Sequence, residues 1–219
     1  MKKKVLVGAP THESKSYAEI EYFTRILNLT SKDYSVAIID NSNTKDYSQH
    51  LRKAYGIKTD WVNPAGLTLR QRIAKSHERL RQIAEGGDYE FLLHIETDVI
   101  VPFNIIELLM RHEKRVVGAS YIVSDKAVPM IQMEAPMTFD ENITYHVDQG
   151  CASMFDGTLK QVHSVGLGCV LIHKSVLSKF KFRCDEQSGA FPDSFFYRDM
   201  RNLDVPVFVD TSLFLTHLK

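Results

Sequence analysis

The chain has 219 residues, of which 44% are hydrophobic and 25% are charged, and its 27 basic residues balance its 27 acidic ones. This length and composition are typical of a globular protein with a substantial core and argue against a disordered chain. A formal net charge of zero argues against a general electrostatic attraction to nucleic acid or to an anionic membrane.

The N-terminal residues and the cysteine spacing bear on the cellular compartment of the protein. Three lysines at positions 2–4 resemble the start of a signal peptide, but the apolar run that follows is too short for one. No apolar run approaches membrane-spanning length, so we expect a soluble, cytoplasmic protein. The cysteines fit neither a disulfide framework nor a zinc-finger spacing, which favours free thiols over a zinc site. They are Cys151, Cys169 and Cys184.

Apolar runs alternate with segments of helical spacing over residues 5–119. This pattern predicts strands at 5–8, 35–39, 58–62, 91–95 and 115–119, and a helix at 105–109. Capping-box patterns open two further helices. The first has the capping pair Ser16 and Glu19 and the apolar residues Ile20, Phe23 and Leu27. The second has the capping pair Thr68 and Gln71, the apolar residues Leu69, Ile73, Leu80, Ile83 and Ala84, and an end at Gly86 and Gly87.

The second half of the chain has a different pattern. Residues 121–162 show weak periodicity and predict loops and irregular strands. A strand is expected at 165–172, a short helix after Lys174, another helix near Asp193 and a last strand at 205–210. Alternating strands and helices predict an α/β fold with an open, mostly parallel twisted sheet flanked by helices, in a single domain over residues 1–219.

Polar segments follow three of the predicted strands. They are residues 10–13, 40–42 and 96–98. In open α/β sheets ligands bind outside the carboxyl ends of the strands, so we expect these segments to lie along one ligand-binding edge.

Glu96 and Asp98 are the strongest chemical signal in the sequence. They follow an apolar strand one residue apart, and side chains at i and i+2 of an extended segment point the same way. Ionised carboxylates are costly to bury unless a cation neutralises them, and hard divalent cations prefer oxygen ligands. The pair therefore indicates a metal site suited to a diphosphate-bearing substrate. The alternative is an exposed turn with acids at a helix N-terminus.

Residues 91–102 resemble the strand-plus-acid motif of family 2 glycosyltransferases with the GT-A fold. Residues 165–172 resemble the glycine-containing strand of that family. Residues 191–198, with 207–210 and His217 beyond them, resemble its acidic helix start and C-terminal strand. The likeness covers most of the chain, with its parts in the family's order.

The resemblance implies an enzyme that moves a sugar from a nucleoside-diphosphate sugar to an acceptor hydroxyl, usually with inversion. Mn²⁺ or Mg²⁺ bridging the diphosphate oxygens would stabilise the charge of the leaving group. The resemblance implies Asp98 as a direct metal ligand, His217 as a further ligand, and Glu96 as a contact to the ribose or to a metal-bound water. It makes Asp193 the candidate general base.

The resemblance also implies a nucleotide pocket in a donor-binding half, residues 1–118, with an acceptor-side half at 119–219. Asp40 would meet the base, and an arginine of the capped helix would meet the base or a phosphate. The implied substrate-binding residues are Pro10, Thr11, Glu13, Asp40, Arg70, Arg72, Glu96 and Thr97.

Each assignment has a structural alternative. Asp40 would be an ordinary turn residue, the arginines solvated, His217 a frayed terminal residue and Asp193 a helix cap. The chain also departs from the family pattern, with glutamate at position 96 and proline where the family usually has a second acid before Asp193.

Two other functions stay open. A sugar-phosphate nucleotidyltransferase generally needs a loop rich in glycine and arginine after the first strand, which residues 8–13 do not provide. A non-catalytic module that binds nucleotide sugars is favoured by Pro192. The sequence does not identify the acceptor, which would be a glycan, a lipid, a protein or a modified nucleic-acid base.

Overall fold

The computed structural model describes residues 4–122, 130–132, 155–185 and 187–218, so most of the weakly patterned segment and Cys151 lie outside the described residues. The described strands are β1 (Val5–Thr11), β2 (Tyr34–Asp40), β3 (Lys58–Trp61), β4 (Phe91–Ile95), β5 (Val99–Ile100), β6 (Val116–Tyr121), β7 (Ile131–Gln132), β8 (Leu159–Val162), β9 (Ser164–Val165), β10 (Cys169–His173) and β11 (Val207–His217). The described α-helices are α1 (Glu19–Ile26), α2 (Asp46–Tyr55), α3 (Leu69–Gly86), α4 (Ile105–Met110), α5 (Lys174–Leu177) and α6 (Pro192–Arg201), and a 3-10 helix covers Glu13–Ala18.

Most of the described strands form one open sheet in the order β3-β2-β1-β4-β10-β6-β11-β5, with β8 also paired to β11. The pairs β3–β2, β2–β1, β1–β4 and β6–β11 are parallel. The strand β10 runs antiparallel to both of its neighbours, β4 and β6. The predicted α/β fold with an open sheet is therefore confirmed, and the sheet is mixed in its second half.

Helices cover both faces of the sheet. Successive residues of a strand point to opposite faces, so Val5 and Val7 pack on one side while Leu6 packs on the other. Helices α1, α2 and α4 contribute to the first core cluster, and α3, α5 and α6 to the second. Burial on both faces explains why the strands appear in the sequence as nearly continuous apolar runs. Among the described residues, no helix is both long and apolar enough to cross a membrane.

The capping box that opens α3 is confirmed. Thr68 Oγ1 accepts a hydrogen bond from the backbone N–H of Gln71, and Gln71 Oε1 accepts one from the backbone N–H of Thr68. The helix ends at Gly86, with Gly87 as its C-cap, as predicted. Leu69 is an exception to the predicted apolar face, because its side chain is 62% exposed.

The capping prediction at Ser16 is wrong. The chain is already helical there, in the 3-10 helix that runs into α1, so Ser16 has no helix N-terminus to cap. His12 caps the 3-10 helix instead, its side chain accepting a hydrogen bond from the backbone N–H of Ser14. The buried face of α1 is Tyr22, Phe23 and Ile26, whereas Ile20 is 77% exposed.

Two further elements differ from the prediction. The helix α2 at 46–55 is an element that no pattern identified, because only Ser48 and Leu51 are buried in it and its sequence lacks a broad apolar stripe. The predicted strand at 165–172 is divided into β9 and β10. Residues 166–168 break it because Tyr121 packs against Gly166 and Gly168, where a Cβ atom would meet its ring.

Candidate active site

The carboxyl ends of β1, β2 and β4 lie side by side on one edge of the sheet. Thr11 pairs with Asp40 between β1 and β2, and Gly8 pairs with His94 between β1 and β4. A cleft of about 480 Å³, here called the strand-end cleft, opens on this edge. Its lining residues are Pro10, Thr11, His12, Ser14, Lys15, Asn41, Leu69, Arg72, Ile73, His77, Glu96, Thr97 and Asp98. All three polar segments thus contribute to one edge, as predicted.

Glu96, Asp98 and His217 come together beside this cleft. One ligand atom of each lies within 4.8 Å of the corresponding atoms of the other two. The Asp98 side chain is 1% exposed, and its Oδ2 lies 3.1 Å from His217 Nε2. Two carboxylates and an imidazole form a donor set that suits Mn²⁺, and the carboxylates also suit Mg²⁺.

Backbone pairing fixes the position of His217. Strand β11 extends to His217, which pairs with Val99 of β5 in an antiparallel ladder. The backbone N–H of Leu218 also donates a hydrogen bond to the carbonyl oxygen of Asp98, at 2.8 Å. The interpretation of His217 as a frayed terminal residue is therefore wrong.

Lys15 and Tyr17 are site residues that sequence reasoning missed. Lys15 Nζ forms an ion pair with Asp98 Oδ2, and Tyr17 Oη donates to the same oxygen at 3.0 Å. Burial works to lower the pKa of Lys15, but the hydrogen bond and charge of Asp98 outweigh it and raise that pKa. The 3-10 helix after β1 brings both side chains to Asp98, and no pattern in the sequence signals that helix.

The pKa of Glu96 is raised to about 7, and burial is the largest cause. The nearby negative charges of Asp98 and Asp193 contribute to the same rise, while the positive charge of Lys15 opposes it. Glu96 therefore keeps its proton to a higher pH than an exposed glutamate does. The charge of Asp193, on α6, is thus one of those that act on Glu96.

Asp193 is the second residue of α6, after Pro192, so it is not the N-cap of that helix. Its Oδ1 accepts a hydrogen bond from the backbone N–H of Ser194 at 2.9 Å. Burial raises the pKa of Asp193, against the effect of this backbone donor. Asp199, further along α6, forms a bidentate ion pair with Arg183 at 2.9 and 3.0 Å, so its carboxylate is already neutralised by a protein partner.

Of the predicted nucleotide-pocket residues, Pro10, Thr11, Arg72, Glu96 and Thr97 line the strand-end cleft. Thr11 Oγ1 and Thr97 Oγ1 lie 3.0 Å apart, which links the ends of β1 and β4. Arg72 Nε is buried and has no hydrogen-bond partner among the described residues. Its guanidinium thus keeps an unsatisfied donor at the wall of the cleft.

The remaining three predicted pocket residues lie outside the cleft lining. Asp40 is fully buried and accepts hydrogen bonds from Oγ and N of Ser42, at 2.6 and 2.9 Å, in a turn. Glu13 is exposed, and the guanidinium of Arg70 lies 5.5 Å from the ring centroid of Phe191. The neighbour of Asp40, Asn41, lines the cleft instead.

Several proteins of known structure share this fold at low sequence identity. The chain is 16% identical to A197 from STIV, with a TM-score of 0.54 over 99% of this chain and 86% of that one. It is 14% identical to mannosyltransferase PcManGT from Pyrobaculum calidifontis in complex with GDP-Man and Mn²⁺, with a TM-score of 0.60 over 99% of this chain and 57% of that one. It is 15% identical to S. aureus TarS 1-349 in complex with UDP, with a TM-score of 0.58 over 97% and 60% of the two chains.

The chain thus spans less than two thirds of the PcManGT and TarS chains. No protein-family model and no curated protein sequence matches it. The fold is that of a GT-A-like glycosyltransferase, as the resemblance in sequence predicted.

Proposed function

We propose that this protein is a metal-dependent, inverting glycosyltransferase that moves a sugar from a nucleoside-diphosphate sugar to an acceptor hydroxyl. The observation that carries the proposal is the convergence of Glu96, Asp98 and His217 beside the strand-end cleft. Structures of the same fold contain UDP, UDP-GlcNAc, or GDP-Man with Mn²⁺.

Asp98 and His217 would hold the metal ion, with Glu96 as a third ligand or as a contact to the ribose or to a metal-bound water. Their oxygen and imidazole donors fit Mn²⁺ or Mg²⁺. A bound ion would act as a Lewis acid that stabilises the negative charge developing on the departing diphosphate.

The nucleotide would lie along the strand-end cleft. Arg72 offers a buried donor that lacks a protein partner, and a guanidinium suits phosphate or base oxygens. The hydroxyls of Thr11 and Thr97 and the ring of Pro10 line the same cleft. Asp40 would act by fixing the turn that presents Asn41 to the ligand.

Asp193 is the proposed general base. Its carboxylate lies within electrostatic range of Glu96, and its raised pKa makes it a better proton acceptor than an exposed aspartate. The acceptor oxygen would bond to the anomeric carbon and its proton would pass to Asp193. The bond between that carbon and the diphosphate oxygen would break with its electron pair leaving on the diphosphate, so attack from the opposite side inverts the configuration.

A donor screen tests this function. The wild-type protein, with Mn²⁺ and a panel of nucleotide sugars and candidate acceptors, should release a free nucleoside diphosphate. Asp98→Asn should lose metal-dependent donor binding. Asp193→Asn should retain donor binding and lose transfer to the acceptor. Wild-type transfer by Asp193→Asn would exclude this residue as the base.

The same screen separates the alternative functions. Pyrophosphate release from a nucleoside triphosphate and a sugar phosphate would indicate a nucleotidyltransferase. Metal-dependent binding of nucleotide sugars without transfer or hydrolysis across the panel would indicate a binding module. Failure of the wild-type protein to bind any nucleoside diphosphate with Mn²⁺ would contradict the glycosyltransferase, whose leaving group is that molecule.

A further inference from the structure

Three side chains converge on a single oxygen of the candidate metal site. Lys15 Nζ forms an ion pair with Asp98 Oδ2, while Tyr17 Oη and His217 Nε2 lie 3.0 and 3.1 Å from the same atom. An ammonium group and a divalent cation repel each other. A metal ion that binds through this oxygen must therefore displace Lys15.

We propose that Lys15 is an exchangeable cation of the active site. It neutralises Asp98 before the metal binds, and it moves to a diphosphate oxygen of the donor when the metal ion takes its place. This inference rests on the proposed function and deepens it, because it names a further residue that binds the substrate.

The structure indicates that Lys15 is the partner that moves. The Asp98 side chain is 1% exposed and its backbone carbonyl is hydrogen-bonded to Leu218, whereas the Lys15 side chain is 40% exposed. A lysine side chain is a flexible four-carbon stem that carries a compact point charge. Lys15 also lines the strand-end cleft together with Arg72, so it can reach a ligand there without a backbone movement.

The chemistry of the cleft identifies the second position of Lys15. Glu96 and Asp98 are the carboxylates among the described residues that line the cleft, and both belong to the candidate metal site. The second partner of Lys15 is therefore a group of the ligand. A diphosphate offers only hydrogen-bond acceptors and carries negative charge, so it is the part of a nucleotide sugar that suits an ammonium group. The donor would thereby draw Lys15 away from Asp98 and free that carboxylate for the metal.

This exchange predicts effects of opposite sign in a Lys15→Met variant. Mn²⁺ alone should bind about fivefold or more tightly than to wild type, because the competing cation is gone. UDP or GDP at saturating Mn²⁺ should bind about fivefold or more weakly, because a phosphate ligand is gone. In wild type the nucleotide should strengthen Mn²⁺ binding, and this coupling should shrink in the variant.

Isothermal titration at one fixed pH measures all of these affinities. Lys15→Arg keeps the positive charge, so its affinity for Mn²⁺ should equal that of wild type. Lys53→Met removes an exposed charge on α2, and its affinities should equal those of wild type in every titration. Equal thermal unfolding of the variants would show that they are folded. Unchanged or weaker Mn²⁺ binding by folded Lys15→Met overturns the exchange and leaves the proposed function intact. Absence of Mn²⁺ binding by every variant overturns both the metal site and the exchange.

Discussion

His94 Nε2 lies 3.0 Å from His77 Nδ1, in a buried pair of imidazoles beneath the strand-end cleft. His94 Nδ1 contacts the carbonyl oxygen of Leu167, which can only accept, so this nitrogen carries the proton. Burial lowers the pKa of His94 to about 4, so its ring is neutral at pH 7 and Nε2 accepts from His77. Burial also lowers the pKa of His77, whose Nε2 is therefore an acceptor. Nitrogen-15 NMR at pH 7 should show both rings as the Nδ1–H tautomer, and Nε2–H on either ring would contradict this assignment.

This pair predicts a loss of stability in acid. The unfolded His94 takes up a proton near pH 6.5, whereas the folded one does so only near pH 4, so its contribution to stability falls as the pH drops between these values. Between pH 7 and pH 5 the loss should be about 2 kcal/mol. Glu96, with its raised pKa, changes stability in the opposite direction over this range.

Urea unfolding of wild type and His94→Gln at pH 7 and pH 5 isolates the histidine, because Glu96 is present in both proteins. Wild type should lose more stability than the variant on acidification. Equal losses would show that His94 is not the group responsible.

Arg72 and Arg70 form a matched pair two residues apart on α3. Arg72→Met should weaken nucleoside diphosphate binding about tenfold, because a charge-assisted hydrogen bond in the cleft is lost. Arg70→Met should change the affinity less than about twofold, because that guanidinium lies over Phe191 outside the cleft. Calorimetric titration measures both affinities, and equal effects of the two changes would contradict the location of the pocket.

The pKa of Glu96 in the metal-free protein reports the local charges. Asp98→Asn should lower it, because a neighbouring negative charge is removed, and Lys15→Met should raise it, because a positive charge is removed. Burial is the largest cause of the shift, so the value should stay above the ordinary 4.5 in both variants. A pH titration of the Glu96 carboxyl followed by carbon-13 NMR measures this pKa. A change of the same sign in both variants would contradict the placement of Asp98 and Lys15 beside Glu96.

Gly168 is predicted to be intolerant of a side chain. A Cβ atom there would meet the Tyr121 ring, whose Oη accepts a hydrogen bond from the Gly168 N–H at 2.8 Å. Gly168→Ala should lower the free energy of unfolding by about 1–3 kcal/mol. Gly86→Ala is the control, because no atom lies within 4 Å of a Cβ atom in that helical position, and it should be neutral or stabilising by up to about 1 kcal/mol. Urea denaturation compares the two, and a neutral Gly168→Ala would mean that Tyr121 can move aside.

The sequence predicts those parts of the fold and cleft that depend on local pattern. Buried apolar runs identify β1, β2 and β4, and the topology then places the ends of these strands on one edge. Lys15 was missed because only the tertiary fold brings its 3-10 helix to Asp98. Arg70 and Arg72 are both arginines, so residue type does not distinguish them. Residues two apart point to different sides of a helix, so only one of them is expected to line the cleft. The structure shows that this residue is Arg72.

The His217 position depended on a long-range pairing. The strand predicted before His217 ends at residue 210. In the structure β11 continues past an irregularity between Asp210 and Phe214 and pairs with β5. Burial alternates along 211–217 as in a half-covered strand, but Phe214 is apolar and 51% exposed, so the sequence shows no polar and apolar alternation there.

The most direct test of the central claim is anomalous diffraction from crystals grown with Mn²⁺ and a nucleoside diphosphate. The proposed site predicts a manganese peak within about 2.5 Å of an Asp98 carboxylate oxygen, with diphosphate density against the same ion in the strand-end cleft. Manganese bound elsewhere, or a nucleotide held away from Glu96 and Asp98, would contradict the assignment of this edge of the sheet as a metal and donor site.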